Sequence, residues 1–197
     1  MAIKVYLFDF DDTIISTKIY AQMYHPILIM IKKRFKWNDQ QVEHKARELG
    51  LIKNKSSRYD TGDLCRELGL LVEYYGILEK NIKVVPALPN TIVNVFKKIK
   101  SKNKMIGIVS NSMNKTIALY LKKYKLFSYI DFIFSQDDAG CTKREEKYWK
   151  RLIQKEKLNP SECLMIGDDP IEDRKIPRRF KFMTLLITNQ EDWANIL

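Results

Sequence analysis

Two acidic clusters stand out in this sequence because each directly follows a short apolar run. Residues 9–13 read DFDDT and residues 167–173 read GDDPIED. Carboxylates gathered in one place repel one another and raise one another's pKa unless a cation joins them. A set of oxygen ligands without His or Cys favours Mg²⁺, which binds a few carboxylates together with water and substrate phosphate. The acids therefore predict a magnesium-dependent site.

Two other features of the sequence carry groups that bind phosphoryl oxygens. Ser110 and Asn111 follow the apolar run 105–109, and a hydroxyl with adjacent backbone N–H groups at the start of a helix forms an anion site. Lys143 lies in the segment 140–144 (GCTKR) and brings a mobile positive charge. A metal and a lysine offset phosphate charge while a carboxylate attacks phosphorus, so these groups together predict phosphoryl transfer.

Five short apolar runs are the elements that must position these groups. They are residues 3–8, 105–109, 132–134, 163–166 and 183–187. Such runs are typical of buried parallel strands, and helical patterns separate most of them. The alternation predicts an α/β fold with a Rossmann-like, doubly wound parallel sheet. Ligands bind at the carboxyl ends of such strands, so we expect the acids, Ser110 and Lys143 on one rim of the sheet.

The interval from residue 17 to residue 84 breaks this alternation. It contains no convincing strand but three helical patterns, at 19–31, 42–49 and 64–75. Pro26 is expected to bend or interrupt the first, Asn38 and Gln41 resemble a capping box, and Gly50 is placed to end the second. The interval is too long for an ordinary connection. We expect a small all-α domain over residues 17–84, inserted into an α/β core of residues 1–16 and 85–197.

Composition limits the class of protein. A chain of 197 residues that is 45% hydrophobic and 30% charged suits one globular core with an insertion, and it excludes a disordered tail. Cys65, Cys141 and Cys163 have neither CxxC nor Cys/His spacing, which disfavours a disulfide framework or a zinc site. No apolar run approaches the length of a membrane span and no signal peptide is recognisable. We therefore expect a cytoplasmic protein without membrane association.

The net charge of +11 points to an anionic partner, which includes nucleic acid, acidic lipid and phosphorylated metabolites. The excess is divided between the two parts of the chain. Residues 17–84 hold 13 basic and 8 acidic side chains, and the rest of the chain holds 22 basic and 16 acidic side chains. Because neither part forms a basic arm, the charge disfavours nucleic acid and favours the steering of a small phosphorylated metabolite toward a locally acidic site.

All four groups occur in an order that resembles the haloacid dehalogenase-like superfamily. Residues 9–13 match its DxDxT motif, Ser110 its second motif, Lys143 its third, and residues 167–173 its fourth, GDxxxxD. The resemblance spans nearly the whole chain and implies an enzyme. Asp11 favours the phosphatase branch, because dehalogenating members lack an acid at that position and a halide needs no proton donor. The helical insertion lies where members carry a cap over the site.

The resemblance also implies a role for each matched residue. Asp9 is the expected nucleophile that forms an aspartyl-phosphate, and Asp11 the general acid that then becomes the base for water. Mg²⁺ is expected to be held by the Asp9 side chain, the Asp11 carbonyl and Asp168. The phosphoryl oxygens are expected to be bound by Ser110, the Asn111 N–H and Lys143. The expected supporting residues are Thr13, Asp169 and Asp173. Asp173 is expected to orient waters or Lys143, the role of Asp169 stays open, and Glu172 is expected to face solvent.

The sequence departs from the family pattern at three places. Lys143 is followed by Arg144 where a proline is usual, and Asp12 stands where many members have glycine. The stretch after Asp173 lacks the usual small-residue helix, which predicts a short or distorted helix begun near Pro177.

Within the helical insertion, residues 51–63 form a polar stretch that breaks the helical pattern, and we expect it to face substrate. Lys53, Lys55, Arg58 and Tyr59 are the candidates for contact with a leaving group.

Three functions remain open from the sequence. The leading interpretation is a Mg²⁺-dependent phosphatase for a small phosphate monoester such as a sugar phosphate, phosphoglycolate or a nucleotide monophosphate. A phosphomutase shares the aspartyl-phosphate but passes the phosphoryl group to another hydroxyl of a sugar. The third is a basic module that binds nucleic acid or an acidic protein on an idle fold. The sequence leaves both a monomer and a homodimer open.

Overall fold

A five-stranded parallel sheet forms the centre of the chain in a computed structural model, which describes residues 2–53 and 57–196. The strands are β1 (Val5–Phe8), β2 (Met105–Ser110), β3 (Phe132–Ser135), β4 (Cys163–Gly167) and β5 (Met183–Leu186). Their order across the sheet is β3-β2-β1-β4-β5, and every neighbouring pair is parallel. Each strand coincides with one of the predicted apolar runs, so the α/β prediction is confirmed.

The α-helices are α1 (Lys18–Phe35), α2 (Asp39–Glu48), α3 (Thr61–Glu67), α4 (Leu71–Lys83), α5 (Asn90–Ser101), α6 (Asn114–Lys123), α7 (Gln136–Ala139), α8 (Glu146–Lys155) and α9 (Ile176–Arg179). Short 3₁₀ turns occur at Phe127–Tyr129, Pro160–Glu162 and Gln190–Ile196, and a π-helical turn spans Pro170–Lys175.

Helices pack on both faces of the sheet, as consecutive residues of β1 show. The Phe8 ring lies 4.9 Å from the Phe96 ring of α5. Leu7 instead belongs to a buried cluster that includes Trp149 and Leu152 of α8. Successive strand side chains point to opposite faces, so α5 and α8 cover opposite sides, as a doubly wound fold requires.

The order of the strands places the carboxyl ends of β1 and β4 side by side. Phe8 of β1 is level with Ile108 of β2 on one side and with Ile166 of β4 on the other. From β1 the chain builds outward through β2 and β3, then returns to add β4 and β5 beyond the other edge of β1. The connections after β1 and β4 therefore lead to opposite sides of the sheet, and open α/β sheets bind ligands at such a switch point.

The chain divides into two compact units. One consists of the residues up to Ser16 and from Pro86 onward and contains the sheet, and the other is Thr17–Val85 and contains α1 to α4. In the helical unit α1 packs against α2, α3 and α4. Its buried side chains recur every fourth residue: Ile19, Met23, Ile27 and Ile31. None of the helices in the described parts of the chain combines the length and apolar character needed to cross a membrane.

The helical unit differs from its predicted form in two places. Helix α1 runs through Pro26, so the expected interruption does not occur; Pro26 is exposed, while Met23 and Ile27 on either side of it are buried. The third predicted pattern is two helices, since Gly69 adopts φ +70° between α3 and α4 and so ends the first of them. The capping box is present, with Asn38 and Gln41 exchanging bonds of 2.9 Å in both directions.

Candidate active site

Asp9 leaves the end of β1 and turns its carboxylate into the interior of the rim. The residue is 5% exposed, and its backbone N–H donates to the Ile166 carbonyl oxygen at 2.8 Å, which continues the ladder between β1 and β4. The Thr13 hydroxyl lies 3.3 Å from Asp9 Oδ2 and 3.3 Å from Asp168 Oδ1. Thr13 therefore joins the first acidic loop to the second.

Asp12 adopts a left-handed backbone conformation with φ +55°. This conformation costs most residues free energy, but glycine adopts it readily and Asp and Asn tolerate it better than others do. The turn at Asp12 is therefore a position that favours glycine and that an aspartate can also occupy.

The loop after β4 carries the second set of carboxylates. One oxygen each of Asp9, Asp168 and Asp173 lies within 4.8 Å of the others, and this is the potential metal-binding group found among the described residues. Asp173 is fully buried, and its Oδ2 accepts the Asp169 N–H at 3.0 Å. The Asp11 side chain lies outside this group.

Lys143 reaches the centre of this cluster from the segment between β3 and α8. It is 3% exposed, and its Nζ donates to Asp173 Oδ1 at 2.7 Å and to Asp9 Oδ1. The Lys143 carbonyl accepts the Trp149 indole N–H at 2.8 Å, which fixes the backbone on the buried face of α8. The lysine is therefore held by its backbone as well as by its charge, although no proline follows it.

Burial and charge shift the pKa values of this cluster strongly. Burial is the largest effect on Asp9 and raises its pKa well above the usual range; Asp173 and Asp11 raise it further, against the opposing effect of Lys143. Burial would lower the pKa of the Lys143 ammonium, but Asp9 and Asp173 outweigh it and raise that pKa. One ammonium thus faces several carboxyl groups, and their ionised forms are unfavourable without further positive charge.

These raised pKa values bear on whether the cluster fits a metal ion. A second cation would favour the ionised form of Asp9 and Asp168, whose pKa is also raised by burial and by Asp173 and Asp12. The donors are all carboxylate oxygens, which is the chemistry that Mg²⁺ prefers. The cluster therefore fits Mg²⁺, and it adds Asp173, for which the resemblance implied a supporting role, to the side chains of Asp9 and Asp168.

Ser110 ends β2 beside these acids and is 1% exposed. Its hydroxyl oxygen accepts the Ser112 N–H at 2.9 Å, and the Ser112 hydroxyl donates to Asp11 Oδ2 at 2.5 Å. The Tyr148 hydroxyl lies 3.0 Å from the Ser110 carbonyl oxygen and 2.9 Å from that of Phe134, so it ties the ends of β2 and β3 together. Ser112 is not among the site residues predicted from the sequence, although its position two residues after Ser110 is typical of such a turn.

The prediction that Glu172 faces solvent is wrong. Glu172 is 9% exposed, and its Oε2 accepts the Asn111 side-chain N–H at 2.5 Å while its Oε1 accepts Arg144 Nε at 2.6 Å. The Asn111 Oδ1 in turn accepts the backbone N–H of Lys143 at 2.8 Å. Side chains from two other loops therefore cover a glutamate that the local sequence places in an exposed acidic turn.

Asp169 acts as the N-cap of the π-helical turn. Its Oδ1 accepts the N–H groups of Ile171 and Glu172 at 2.7 and 2.8 Å, so the side chain is engaged with the backbone. The turn leads into α9, a helix of four residues with Pro177 in its first turn. The predicted short helix near Pro177 is therefore confirmed.

The candidate substrate residues of the helical insertion lie in the helical unit. Lys53 Nζ donates to Glu43 Oε1 at 2.9 Å and lies 5.2 Å from the centre of the Tyr59 ring, and the Arg58 guanidinium lies 5.7 Å from the centre of the Tyr24 ring. Lys55 falls outside the described residues. Tyr59 is 7% exposed, and its contact with a leaving group stays a prediction.

Known proteins resemble this chain in sequence and in fold. Pyrophosphatase PpaX of Oceanobacillus iheyensis is 24% identical over 174 residues, which cover 86% of this chain and 76% of that protein. The structure of a HAD phosphatase from Thermococcus onnurineus aligns with a TM-score of 0.70 and 20% identity, over 94% of this chain and 86% of that one. The structure of the HAD-hydrolase YfnB of Bacillus subtilis, which was solved with bound magnesium, aligns with a TM-score of 0.64 and 19% identity. The alignment covers 100% of this chain and 99% of that one.

The family model described as haloacid dehalogenase-like hydrolase matches residues 6–183, a range that contains all four motifs and extends from β1 into β5. This chain therefore belongs to the haloacid dehalogenase-like hydrolases.

Proposed function

We propose that this chain is a Mg²⁺-dependent phosphatase that hydrolyses a small phosphate monoester through an aspartyl-phosphate on Asp9. The observation that carries the proposal is the contact of buried Lys143 with both Asp9 and Asp173, within a carboxylate cluster at the carboxyl ends of β1 and β4. A buried carboxylate beside a fixed ammonium is suited to attack on an anionic substrate. The similarity to a pyrophosphatase and a HAD phosphatase supports phosphate chemistry.

The residues that would hold Mg²⁺ are Asp9 and Asp168, with Asp173 and the Asp11 carbonyl as the further candidates. When bound, the ion supplies positive charge that offsets the charge of the phosphoryl group. The Ser110 hydroxyl, the Asn111 N–H and the Lys143 ammonium bind the remaining phosphoryl oxygens. These donors are fixed before substrate arrives, because Ser110 and Lys143 are both nearly fully buried.

The first step forms one bond and breaks another at phosphorus. A carboxylate oxygen of Asp9 attacks phosphorus, and the bond from phosphorus to the ester oxygen breaks. Asp11 gives its proton to the departing alkoxide, so the product leaves as an alcohol. In the second step Asp11 takes a proton from water, the resulting hydroxide attacks phosphorus, and the bond to Asp9 breaks to release phosphate. Both carboxyl groups then return to their starting states.

The Ser112 hydroxyl supports the role proposed for Asp11. Its bond to Asp11 Oδ2 fixes the direction of the carboxyl group while the other oxygen remains to carry the transferred proton. A general acid is effective only when it is held within reach of the proton it transfers. Ser112 is thus proposed to orient the acid.

The helical unit is proposed to act as the cap that excludes water during attack and that selects the leaving group. Lys53, Lys55 and Arg58 remain the candidates for contact with the substrate. The cytoplasmic location expected from the sequence belongs to the same proposal, as does a phosphorylated metabolite rather than a nucleic acid as the partner.

The proposal is tested by a screen of phosphorylated metabolites and of a generic aryl phosphate, with Mg²⁺ and with EDTA. Phosphate release that requires Mg²⁺ is expected. Isomerised sugar phosphate in place of free phosphate would identify a phosphomutase, and activity that is indifferent to EDTA would overturn the proposed metal dependence. The net charge of +11 motivates one further arm, a salt titration of RNA and DNA binding. Retained binding near physiological salt, without phosphatase activity, would favour the basic binding module.

A further inference from the structure

The side chain of Asn111 joins three loops of the rim. Its Oδ1 accepts the Lys143 N–H at 2.8 Å, and its Nδ2 donates to Glu172 Oε2 at 2.5 Å. Asn111 itself follows β2, Lys143 precedes α8, and Glu172 follows β4. The loops that are proposed to bind phosphate, to supply the lysine and to hold the metal therefore meet at one amide group.

The orientation of this amide is determined by its two partners. If the oxygen and nitrogen of Asn111 were exchanged, an NH₂ group would face the Lys143 N–H and a carbonyl oxygen would face the Glu172 carboxylate. Both contacts would then be repulsive, since a backbone N–H only donates and a carboxylate only accepts. The carboxylate of Glu172 thus keeps the Asn111 oxygen directed at the Lys143 backbone.

Glu172 is itself held from two sides. The Asp169 Oδ1 accepts its backbone N–H at 2.8 Å, and Arg144 Nε donates to its Oε1 at 2.6 Å. The Arg144 side chain is 68% exposed whereas that of Glu172 is 12% exposed, so the arginine covers the outer side of the carboxylate. The inner oxygen of Glu172, Oε2, accepts the hydrogen bond from Asn111 Nδ2.

Arg144 stands where the superfamily usually has a proline. A proline restricts the backbone of the residue before it, which would be Lys143. This chain lacks that restriction and instead holds Lys143 by hydrogen bonds to its N–H and to its carbonyl. Hydrogen bonds with the Asn111 side chain and with Trp149 of α8 thus replace a local conformational constraint.

We propose that Glu172 is a positioning residue for Lys143, acting through the Asn111 side chain. This inference rests on the proposed function, in which Lys143 binds the phosphoryl group. Loss of Glu172 would release the Asn111 amide, and the Lys143 backbone would lose a fixed acceptor. Because the lysine acts on charge that develops during attack on phosphorus, the effect is expected mainly on kcat rather than on KM.

The test compares Glu172→Ala with Glu172→Gln in the full chain. The alanine variant removes the acceptor for Asn111 and is expected to lower kcat for an aryl phosphate by about tenfold to a hundredfold, the range typical when a partner that orients a metal ligand is lost. The glutamine variant keeps one oxygen for Asn111, while exposed Arg144 can turn to water, so it is expected to retain most of kcat.

Glu162→Ala is the matched control. Glu162 also pairs with a basic residue, Lys4, at 2.7 Å, and its side chain is 26% exposed. It precedes β4, whereas Glu172 follows it, so the control removes a similar ion pair from the opposite end of the same strand. It is expected to leave kcat and KM unchanged.

A second measurement does not depend on activity. Lys143 is 3% exposed, so its rate of acetylation, followed by peptide mass spectrometry, should rise in Glu172→Ala but not in Glu172→Gln or Glu162→Ala. Wild-type protein without phosphatase activity would overturn the proposed function, and the acetylation rates would still decide the role of Glu172. Equal kcat and equal Lys143 labelling in the alanine variant and the control, or a glutamine variant as impaired as the alanine variant, would overturn the inference.

Discussion

Gly167 provides the space that the Asp173 side chain occupies. A Cβ atom at Gly167 would lie 2.2 Å from Asp173 Oδ2 and 2.3 Å from its Cγ, far closer than such atoms approach in proteins. These atoms belong to the Asp173 carboxylate, whose Oδ1 accepts a hydrogen bond from Lys143 Nζ at 2.7 Å. The glycine that ends β4 is therefore required by the position of an acid in the next turn, not by an unusual backbone conformation.

Gly167→Ala is expected to shift Asp173 and to weaken its contact with Lys143. The free energy of unfolding should fall by about 1–3 kcal/mol, the usual cost of overpacking, and phosphatase activity should fall with it. The matched change is Gly76→Ala, which places a methyl group in α4 with nothing within 4 Å and should stabilise by about 0.5–1 kcal/mol. Urea unfolding measures both, and a Gly167→Ala variant as stable as wild type would contradict the close contact.

Lys143→Met is expected to remove activity and to destabilise the chain. It leaves the buried carboxylates of Asp9 and Asp173 without their ammonium partner, a loss that costs about 3–5 kcal/mol in buried ion pairs. Lys150→Met is the control, because that side chain is 68% exposed and its pair with Glu146 is worth little. Chemical unfolding at neutral pH should separate the two variants clearly. Equal stability would show that Lys143 does not neutralise the cluster.

The left-handed turn at Asp12 predicts a dependence on side-chain shape rather than charge. Asp12→Val places a β-branched residue at φ +55° and should cost about 1–3 kcal/mol of stability. Asp12→Asn loses the same charge but tolerates this conformation, so its change should stay within about 0.5 kcal/mol. Thermal unfolding of both variants tests whether the backbone conformation of Asp12 determines the loss of stability. A similar fall in Tm in each variant would show that the loss of the Asp12 charge is responsible instead.

The burial and charged neighbours of Asp168 predict that pH and Mg²⁺ change the relative stability of wild type and Asp168→Asn in opposite directions. Burial, followed by Asp173 and Asp12, raises the pKa of Asp168 above its ordinary 3.8. Between 3.8 and the raised value the folded chain binds more protons than the unfolded chain, so this group's contribution to stability is lost as pH rises through that window. Without Mg²⁺, Asp168→Asn should therefore be more stable than wild type near neutral pH, and the difference should shrink toward pH 3.8.

Mg²⁺ should reverse that order. A ligand that binds only the folded state stabilises it by about 2.7 kcal/mol at a hundred times its Kd, so the Tm of wild type should rise with Mg²⁺. Asp168→Asn keeps an oxygen for the Thr13 hydroxyl but loses a ligand charge, and its Tm should respond much less. The same Mg²⁺ response in both proteins would exclude Asp168 from the metal site.

Much of this site could be predicted because its residues adjoin strands. The apolar run before Asp9 and the run before Asp168 fix both acids at one rim once the sheet is parallel, and no tertiary detail is needed. Glu172 could not be placed in this way. Its sequence neighbours are acidic and turn-forming, which indicates exposure, whereas its burial comes from Asn111 and Arg144 on loops far away in sequence.

The helical unit shows the same limit. The capping box at Asn38 and the turn at Gly50 depend on a few adjacent residues and were predicted from them. Whether Pro26 interrupts α1 depends instead on the packing of Met23 and Ile27 on either side of it, which keeps the helix continuous. Local signals therefore predicted these two helix ends, whereas they did not predict the end of α3 at Gly69 or the continuity of α1.

The proposed nucleophile is tested most directly by trapping the phosphorylated chain. Wild-type protein with Mg²⁺ and a labelled phosphate monoester, quenched in acid within a turnover, should carry label that hydroxylamine releases and that maps to the peptide containing Asp9. Asp9→Asn should carry no label and release no phosphate above background. Phosphate release by Asp9→Asn at the wild-type rate, or label on another residue, would contradict the account.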